Sequence, residues 1–308
     1  MEIIDLANRN KIISKKDDFF FKAATLSEAL PYIQKFSGET FVIKFGGSAM
    51  GDPKTVDKFA RDVTLLKKIG INPIIIHGGG PQIGQMLHKL DMKSEFVDGL
   101  RVTDNETVDI VEMVLSGSIN KSIVSAINKN GGAAIGLSGK DANLITARKL
   151  RRIRKNSDSN IERILDLGFV GEPVKINPEI FLSLEDTDLI PVIAPIGICE
   201  EGHTYTFNAD DVAGSISAEL RSCKLIMLTD VDGVLDAEQK LISSVSINEA
   251  KNLIDNQTIN GGMIPKINTC IKALDREVGS AHILNGTVEH ITLLEIFTEH
   301  GVGTMITH

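Results

Sequence analysis

Two lysines and an aspartate carry the first chemical signal in the sequence. Lys44 sits near the carboxyl end of the apolar run Thr40-Phe-Val-Ile-Lys-Phe45. A parallel strand covered on both faces reads as a nearly continuous apolar run, so a lysine there is costly unless paired. The run stops at Gly46-Gly47-Ser48, and open α/β sheets bind ligands beyond the carboxyl ends of their strands. Lys44 therefore reads as a phosphate-contacting lysine beside a glycine turn, in preference to an edge-strand lysine. Lys266 falls in the first turn of a helix predicted after Gly261-Gly262, where the macrodipole favours acidic side chains. A bound polyanion accounts for that placement; a solvated surface lysine is the plainer alternative. Asp210 opens another predicted helix after Asn208-Ala209. It is either an N-cap or a carboxylate holding two site lysines in position.

The loop His77-Gly-Gly-Gly-Pro81 follows the same logic. Glycine lets backbone approach a ligand closely, and the helix start beyond it offers free N–H groups to an anion. A tight strand-to-helix turn would also use these glycines, and their spacing is not the dinucleotide fingerprint. Thr229-Asp-Val-Asp-Gly233 closes another apolar run at the same expected end of the sheet, although Asp232-Gly233 also suits a simple turn. There is no Walker A sequence, no Asp-Phe-Gly and no serine or cysteine elbow. What remains is electrostatic catalysis of phosphoryl transfer by lysines, glycine loops and an aspartate.

These groups need a scaffold that repeats strand, glycine loop and helix. Thr40 to Phe45, Asn72 to His77, Ala133 to Leu137, Leu189 to Ala194, Lys224 to Thr229, His282 to Asn285 and Gly303 to Thr307 read as strands. Helices are expected from Asp52-Pro53 to Gly70, from Asp210 to Ser222, from Gly262 to Val278 and near His290 to Thr298. Thr103 and Glu106 form a potential capping box opening a long helix to about Asn128, with a break near Gly117. Leu165 to Ile176 suggests an excursion or a hairpin. Residues 1–38 precede the first sheet strand as an arm. Its helix carries Leu26, Ala29, Leu30, Ile33 and Phe36 on one face, and Pro31 is expected to kink or interrupt it. That face packs either on its own domain or on another subunit.

Composition narrows the classes. The 308 residues exceed one comfortable core, and 42% hydrophobic and 24% charged residues with a net charge of −8 describe an ordinary folded, soluble, mildly acidic protein. That charge balance disfavours nucleic acid as a partner. Cys199, Cys223 and Cys270 are far apart, without metal-site spacing. The N-terminus lacks a secretory pattern, and the longest apolar stretch, Leu189 to Cys199, is short and broken by prolines. The expectation is a cytoplasmic protein without a membrane span.

In order, VIKFGGSAM, HGGGPQI, DGLRVTD, GLSGKD, FNADDVAG, LTDVDGVL and GGMIPK resemble the amino acid kinase family. Several motifs in the right order, from about residue 25 to the end, make the resemblance specific. It implies an α/β fold with an open, mainly parallel sheet sandwiched between helices. Residues 39–222 would form the amino-acid and dimer lobe, and 223–308 the nucleotide lobe. The implied reaction is ATP-dependent phosphorylation of the γ-carboxylate of N-acetyl-L-glutamate, with magnesium carried by the nucleotide rather than by a protein metal site. Lys44 and Lys266 would stabilise the transferring group and Asp210 would organise both. Gly46, Gly47, Gly79 and Gly80 would offer N–H groups. Arg101 would clamp a substrate carboxylate, and Thr206 and Asn208 would meet the acceptor. Thr229, Asp230 and Asp232 would line the nucleotide side.

One position departs from the family pattern: Thr206 stands where a second asparagine is usual, and a hydroxyl does not reproduce amide geometry. The arm and carboxyl end also resemble an arginine-inhibited branch. There the N-terminal helix joins dimers into a hexamer, a trimer of dimers, and His282, Glu295 and Gly301 would contact L-arginine. Two alternatives stay open: a relative phosphorylating another acceptor, and an arginine-binding regulatory subunit without catalysis. Intact Lys44, Asp210 and Lys266 argue against the second.

Overall fold

The computed structural model describes residues 19–20, 23–97, 99–155, 162–298 and 301–308. In chain order the strands are β1 (Thr40–Phe45), β2 (Asn72–His77), β3 (Phe96–Val97), β4 (Leu100–Arg101), β5 (Ala133–Ser138), β6 (Ile145–Lys149), β7 (Arg152–Lys155) and β8 (Glu162–Leu165). They continue with β9 (Gly171–Ile176), β10 (Leu189–Ala194), β11 (Ile196–Ile198), β12 (Thr204–Thr206), β13 (Lys224–Thr229), β14 (Ser244–Ser246), β15 (Ser280–Asn285) and β16 (Thr304–Thr307). The helices are α1 (residues 23–36), α2 (Pro53–Lys68), α3 (Gly80–Lys89), α4 (Asn105–Glu112), α5 (Asn120–Lys129), α6 (Glu179–Glu185), α7 (Ala209–Glu219), α8 (Ile247–Asp255), α9 (Met263–Leu274) and α10 (Ile291–Ile296).

Eight strands form one sheet in the order β14-β16-β15-β13-β1-β2-β10-β5. β15, β13, β1, β2, β10 and β5 run parallel, while β16 is antiparallel to β15. β1 lies in the middle, with Lys44 opposite Ile76 of β2 and Met227 of β13. Alternation along β1 sends Val42 into a core shared with α7, α8 and α9, and sends Phe41, Ile43 and Phe45 into a second core beneath α2, α3 and α5. Phe45 stacks on Phe59 of α2 at 4.0 Å between ring centroids. The sheet is thus open, mainly parallel and sandwiched between helices, as expected. Lys44, two residues after Val42, points to the α7 side.

Three local expectations need correction. Residues 23–36 are helical without a break at Pro31, because a proline removes one backbone N–H and need not end a helix. Part of the expected arm, residues 1–18 and 21–22, lies outside the described residues. Asp104, not Thr103, caps α4: its carboxylate accepts from Thr107 N at 2.8 Å. Thr103 is held outside the helix because its N–H donates to Leu167 O and its carbonyl accepts from Phe169 N. Near Gly117 the long helix does not break; a π-helical turn, Met113–Ile119, joins α4 to α5. The whole run Asn105–Lys129 is long and apolar enough by composition to cross a bilayer, yet Val111, Leu115, Ile123 and Ile127 are members of the protein core.

Candidate active site

α7 begins at Ala209 because the Asn208 side chain accepts from Asp210 N at 3.0 Å. Asn208 is therefore the N-cap, correcting the simpler reading of Asp210. Asp210 sits in the first turn, 5% exposed, and faces β1. Its Oδ1 lies 3.0 Å from Lys44 Nζ and its Oδ2 2.6 Å from Lys266 Nζ. Lys266 reaches it from the first turn of α9, which packs tightly on α7. A Cβ at Gly214 would lie 2.4 Å from Thr269 Cγ2, so that glycine allows the two helices to approach. Burial alone would raise the Asp210 pKa, but the two ammonium groups outweigh it and hold the carboxyl below its usual range. One buried carboxylate thus clasps two cations from elements far apart in sequence.

A cleft of about 300 Å³ opens beside Lys44, lined among others by Gly79, Gly80, Arg101, Thr206 and Asn208. Two of the loop glycines sit close against neighbouring side chains, whereas a Cβ at Gly80 would meet open space. A Cβ at Gly46 would meet Lys44 Nζ at 2.5 Å, and one at Gly79 would meet Leu115 Cδ2 at 2.6 Å and Ile119 Cδ1 at 2.7 Å. The Arg101 guanidinium lies 4.5 Å from the Phe96 ring centroid, donates to Gly80 O at 3.1 Å and contacts Ser94 Oγ. That fixes the planar fork at the cleft wall, where it can pair with a carboxylate. Thr206 ends β12, opposite Ile196, with its N–H bonded to Phe169 O.

Around the carboxyl end of β13 the proposed nucleotide residues have distinct surroundings. The Thr229 hydroxyl is engaged with the backbone N–H and carbonyl of Val231, so it shapes the turn. Asp232 accepts from Asn285 Nδ2 at 2.7 Å, and Asp230 is exposed. β1 and β13 are neighbours, which places this turn beside Gly46 and Gly47. Among the described residues no three His, Cys, Asp or Glu side chains cluster as a metal site.

The residues matched to the effector branch also converge, on the outer part of the sheet. His282 Nδ1 donates to Glu295 Oε1 at 2.6 Å, and Glu295 Oε2 accepts from Val302 N at 2.7 Å. A Cβ on Gly301, at φ 60°, would lie 2.8 Å from Glu295 Oε2. Burial would raise Glu295, but His282 and the backbone N–H groups hold it low. Sequence reasoning missed Lys224, whose Nζ donates to His282 Nε2 at 3.0 Å. Its position at the start of a buried strand was the available signal. The arm reaches this cluster: the Phe36 ring lies 5.3 Å from Lys224 Nζ, and Tyr32 packs edge-on against Phe297.

Residues 39–285 match the model of the amino acid kinase family. The sequence is 58% identical over 290 residues to the acetylglutamate kinase of Rhodospirillum rubrum, covering 94% of each chain. It is 53% identical to that of Ehrlichia canis, over 94% of this chain and 90% of that one. Among solved structures, N-acetylglutamate synthase from Neisseria gonorrhoeae complexed with coenzyme A and N-acetyl-glutamate superposes with a TM-score of 0.81 at 26% identity. That match covers 93% of this chain but only 63% of the synthase. Carbamate kinase from Giardia lamblia, at 18% identity and TM-score 0.60 over 87% of this chain and 98% of that one, shares the fold.

Proposed function

The chain belongs to the amino acid kinase family, is a phosphotransferase acting on a carboxyl group, and we propose that its acceptor is the γ-carboxylate of N-acetyl-L-glutamate. The donor is ATP, and the products are the acyl phosphate and ADP. The observation that carries this reading is the Asp210 bridge between Lys44 and Lys266 beside a cleft walled by Arg101 and Asn208. Relatives more than half identical over nearly the full length carry the name acetylglutamate kinase.

A γ-carboxylate oxygen attacks the γ-phosphorus in line as the bond to the ADP oxygen breaks. The acceptor is ionised at neutral pH, so no general base is required. Lys44 and Lys266 meet the charge on the transferring group, and Asp210 keeps both ammonium groups where that charge appears. Arg101 pairs with the acceptor's other carboxylate, while Asn208, its Oδ1 spent on the cap, offers its Nδ2 to the N-acetyl group. Magnesium carried by the nucleotide would neutralise phosphate charge. Residues 39–222 form the acceptor lobe and 223–308 the nucleotide lobe of this reading.

The second element is feedback by L-arginine in a cytoplasmic hexamer of three dimers. It is supported by the Lys224–His282–Glu295 cluster beside α1 and by the exposed Phe19, Phe20, Leu26 and Leu30 on that arm. Glu295 retains lone pairs for a guanidinium or α-amino group. Acyl phosphate is trapped with hydroxylamine in the presence of Mg-ATP and N-acetylglutamate, glutamate, aspartate or carbamate, each with and without arginine. Hydroxamate from N-acetylglutamate alone, suppressed by arginine, is expected. Another preferred acceptor overturns the substrate, and none at all favours the regulatory alternative.

A further inference from the structure

We infer that His77 and Asn120 are positioning residues for the phosphoryl-transfer step: they clamp the Gly78 carbonyl into the core and thereby aim the Gly79 N–H into the cleft. This rests on the kinase reading above. The clamp begins with the glycine loop itself. Gly78 N donates to Phe45 O at 2.8 Å, and Gly78 O is 2.9 Å from His77 Nδ1. The Gly78 carbonyl and the Gly79 N–H belong to one planar trans peptide and point in opposite directions. Holding the carbonyl against a buried ring turns the N–H outward, to the side where Gly78, Gly79 and Gly80 line the cleft. Among the described residues that N–H has no protein acceptor.

The His77 ring must be a neutral Nδ1–H tautomer to do this, and Asn120 dictates that form. Asn120 Nδ2 donates to Val192 O at 2.8 Å and lies 3.3 Å from His77 Nε2, while its Oδ1 accepts from Lys121 Nζ at 3.1 Å. With its amide oriented by those partners, Asn120 presents a donor, so Nε2 accepts and Nδ1 carries the proton. His77 is fully buried, and burial pushes its pKa down to about 4, which keeps the ring neutral across the working range.

The chain makes two local adjustments to deliver Asn120. Its backbone N–H bonds to Leu115 O, a five-residue step that belongs to the π-helical turn and stacks Asn120 above Leu115 on one face. Leu115 then packs against Gly79 while Asn120 reaches His77. Across the sheet, a Cβ at Gly136 would sit 1.9 Å from Asn120 Oδ1, so β5 yields space to the amide. A regular helix from Asn105 to Lys129 would turn Asn120 away from that face.

The test compares His77→Asn, whose amide can replace Nδ1–H, with His77→Gln, whose amide instead reaches the Nε2 position. The expected result is turnover within about threefold of wild type for His77→Asn and a loss of at least about tenfold for His77→Gln, with both KM values within about twofold. Nitrogen-15 NMR of histidine-labelled wild-type protein is expected to show His77 protonated at Nδ1 and bare at Nε2 near neutral pH. A folded His77→Gln enzyme with wild-type turnover, or an Nε2-protonated His77, overturns the inference. The tautomer measurement decides it even where a variant does not fold. A wild-type protein inactive on N-acetylglutamate would instead strike the substrate reading, and the His77 tautomer would still decide whether the clamp exists.

Discussion

Lys266 Nζ lies 2.6 Å from Asp210 Oδ2, joining two helices whose contacting residues are 56 positions apart. The pairing gives the carboxylate a task that its place in the first turn of α7 alone would not require. Asp210→Asn leaves Lys44, 7% exposed, without its counter-charge. Removing one partner of a buried ion pair costs roughly 3 kcal/mol or more, and misplaced donors at a transferring group cost about 100-fold in turnover. Both effects are expected together, read by thermal unfolding and steady-state kinetics. Unchanged turnover in a destabilised variant would leave Asp210 a purely structural residue.

Arg101 owes its orientation to Phe96, Ser94 and Gly80. Arg101→Lys keeps the charge but not the planar fork, so the KM for the acceptor is expected to rise by roughly 10-fold or more. Turnover at saturation is expected to fall much less, and the KM for ATP to stay nearly constant. A variant whose ATP KM rises instead would place Arg101 on the nucleotide.

Gly214 sits where α7 and α9 touch. Gly214→Ala drives a methyl against Thr269 Cγ2, an overpacking cost of about 1–3 kcal/mol. It is also expected to displace Lys266 and lower turnover. Thr269→Ser removes the opposing methyl, so the double variant should recover both stability and activity. Failure of that rescue would locate the effect elsewhere.

The buried His77 gives a pH signature for stability. Its pKa falls from 6.5 to about 4 on folding. Between those values the unfolded chain binds a proton that the folded chain does not, so stability falls as pH drops from about 6.5 to 4. Above that window the neutral ring carries no penalty. Wild type is expected to lose on the order of 3 kcal/mol relative to His77→Asn across the window, from 1.36 kcal/mol per pKa unit. Urea unfolding at pH 7, 5.5 and 4.5 measures it; parallel pH curves for the two proteins would contradict it.

The strands that carry the site were readable because each is an apolar run bounded by turn residues: Thr40–Phe45, Asn72–His77, Leu189–Ala194 and Lys224–Thr229 were expected at the ends they have. Lys44 was readable as a charge in the wrong place, and Lys266 as a cation at a helix start. The π-helical turn was not, since one extra residue in a helix leaves the apolar pattern nearly intact. Thr103 and Asp104 are both competent caps, and tertiary bonds to Leu167 and Phe169 chose between them. Lys224 escaped notice because its partner His282 lies 58 residues on. Lys224 does not stand out until β13 and β15 pair.

Whether the lysine pair around Asp210 stabilises the transferring phosphoryl group is tested most directly by the turnover of Lys266→Ala at saturating ATP and N-acetylglutamate. The expected result is a fall in kcat of about 100-fold or more, with the acceptor KM changed only a few-fold and the protein still folded. Near-normal turnover would contradict that role and remove Lys266 from the chemistry.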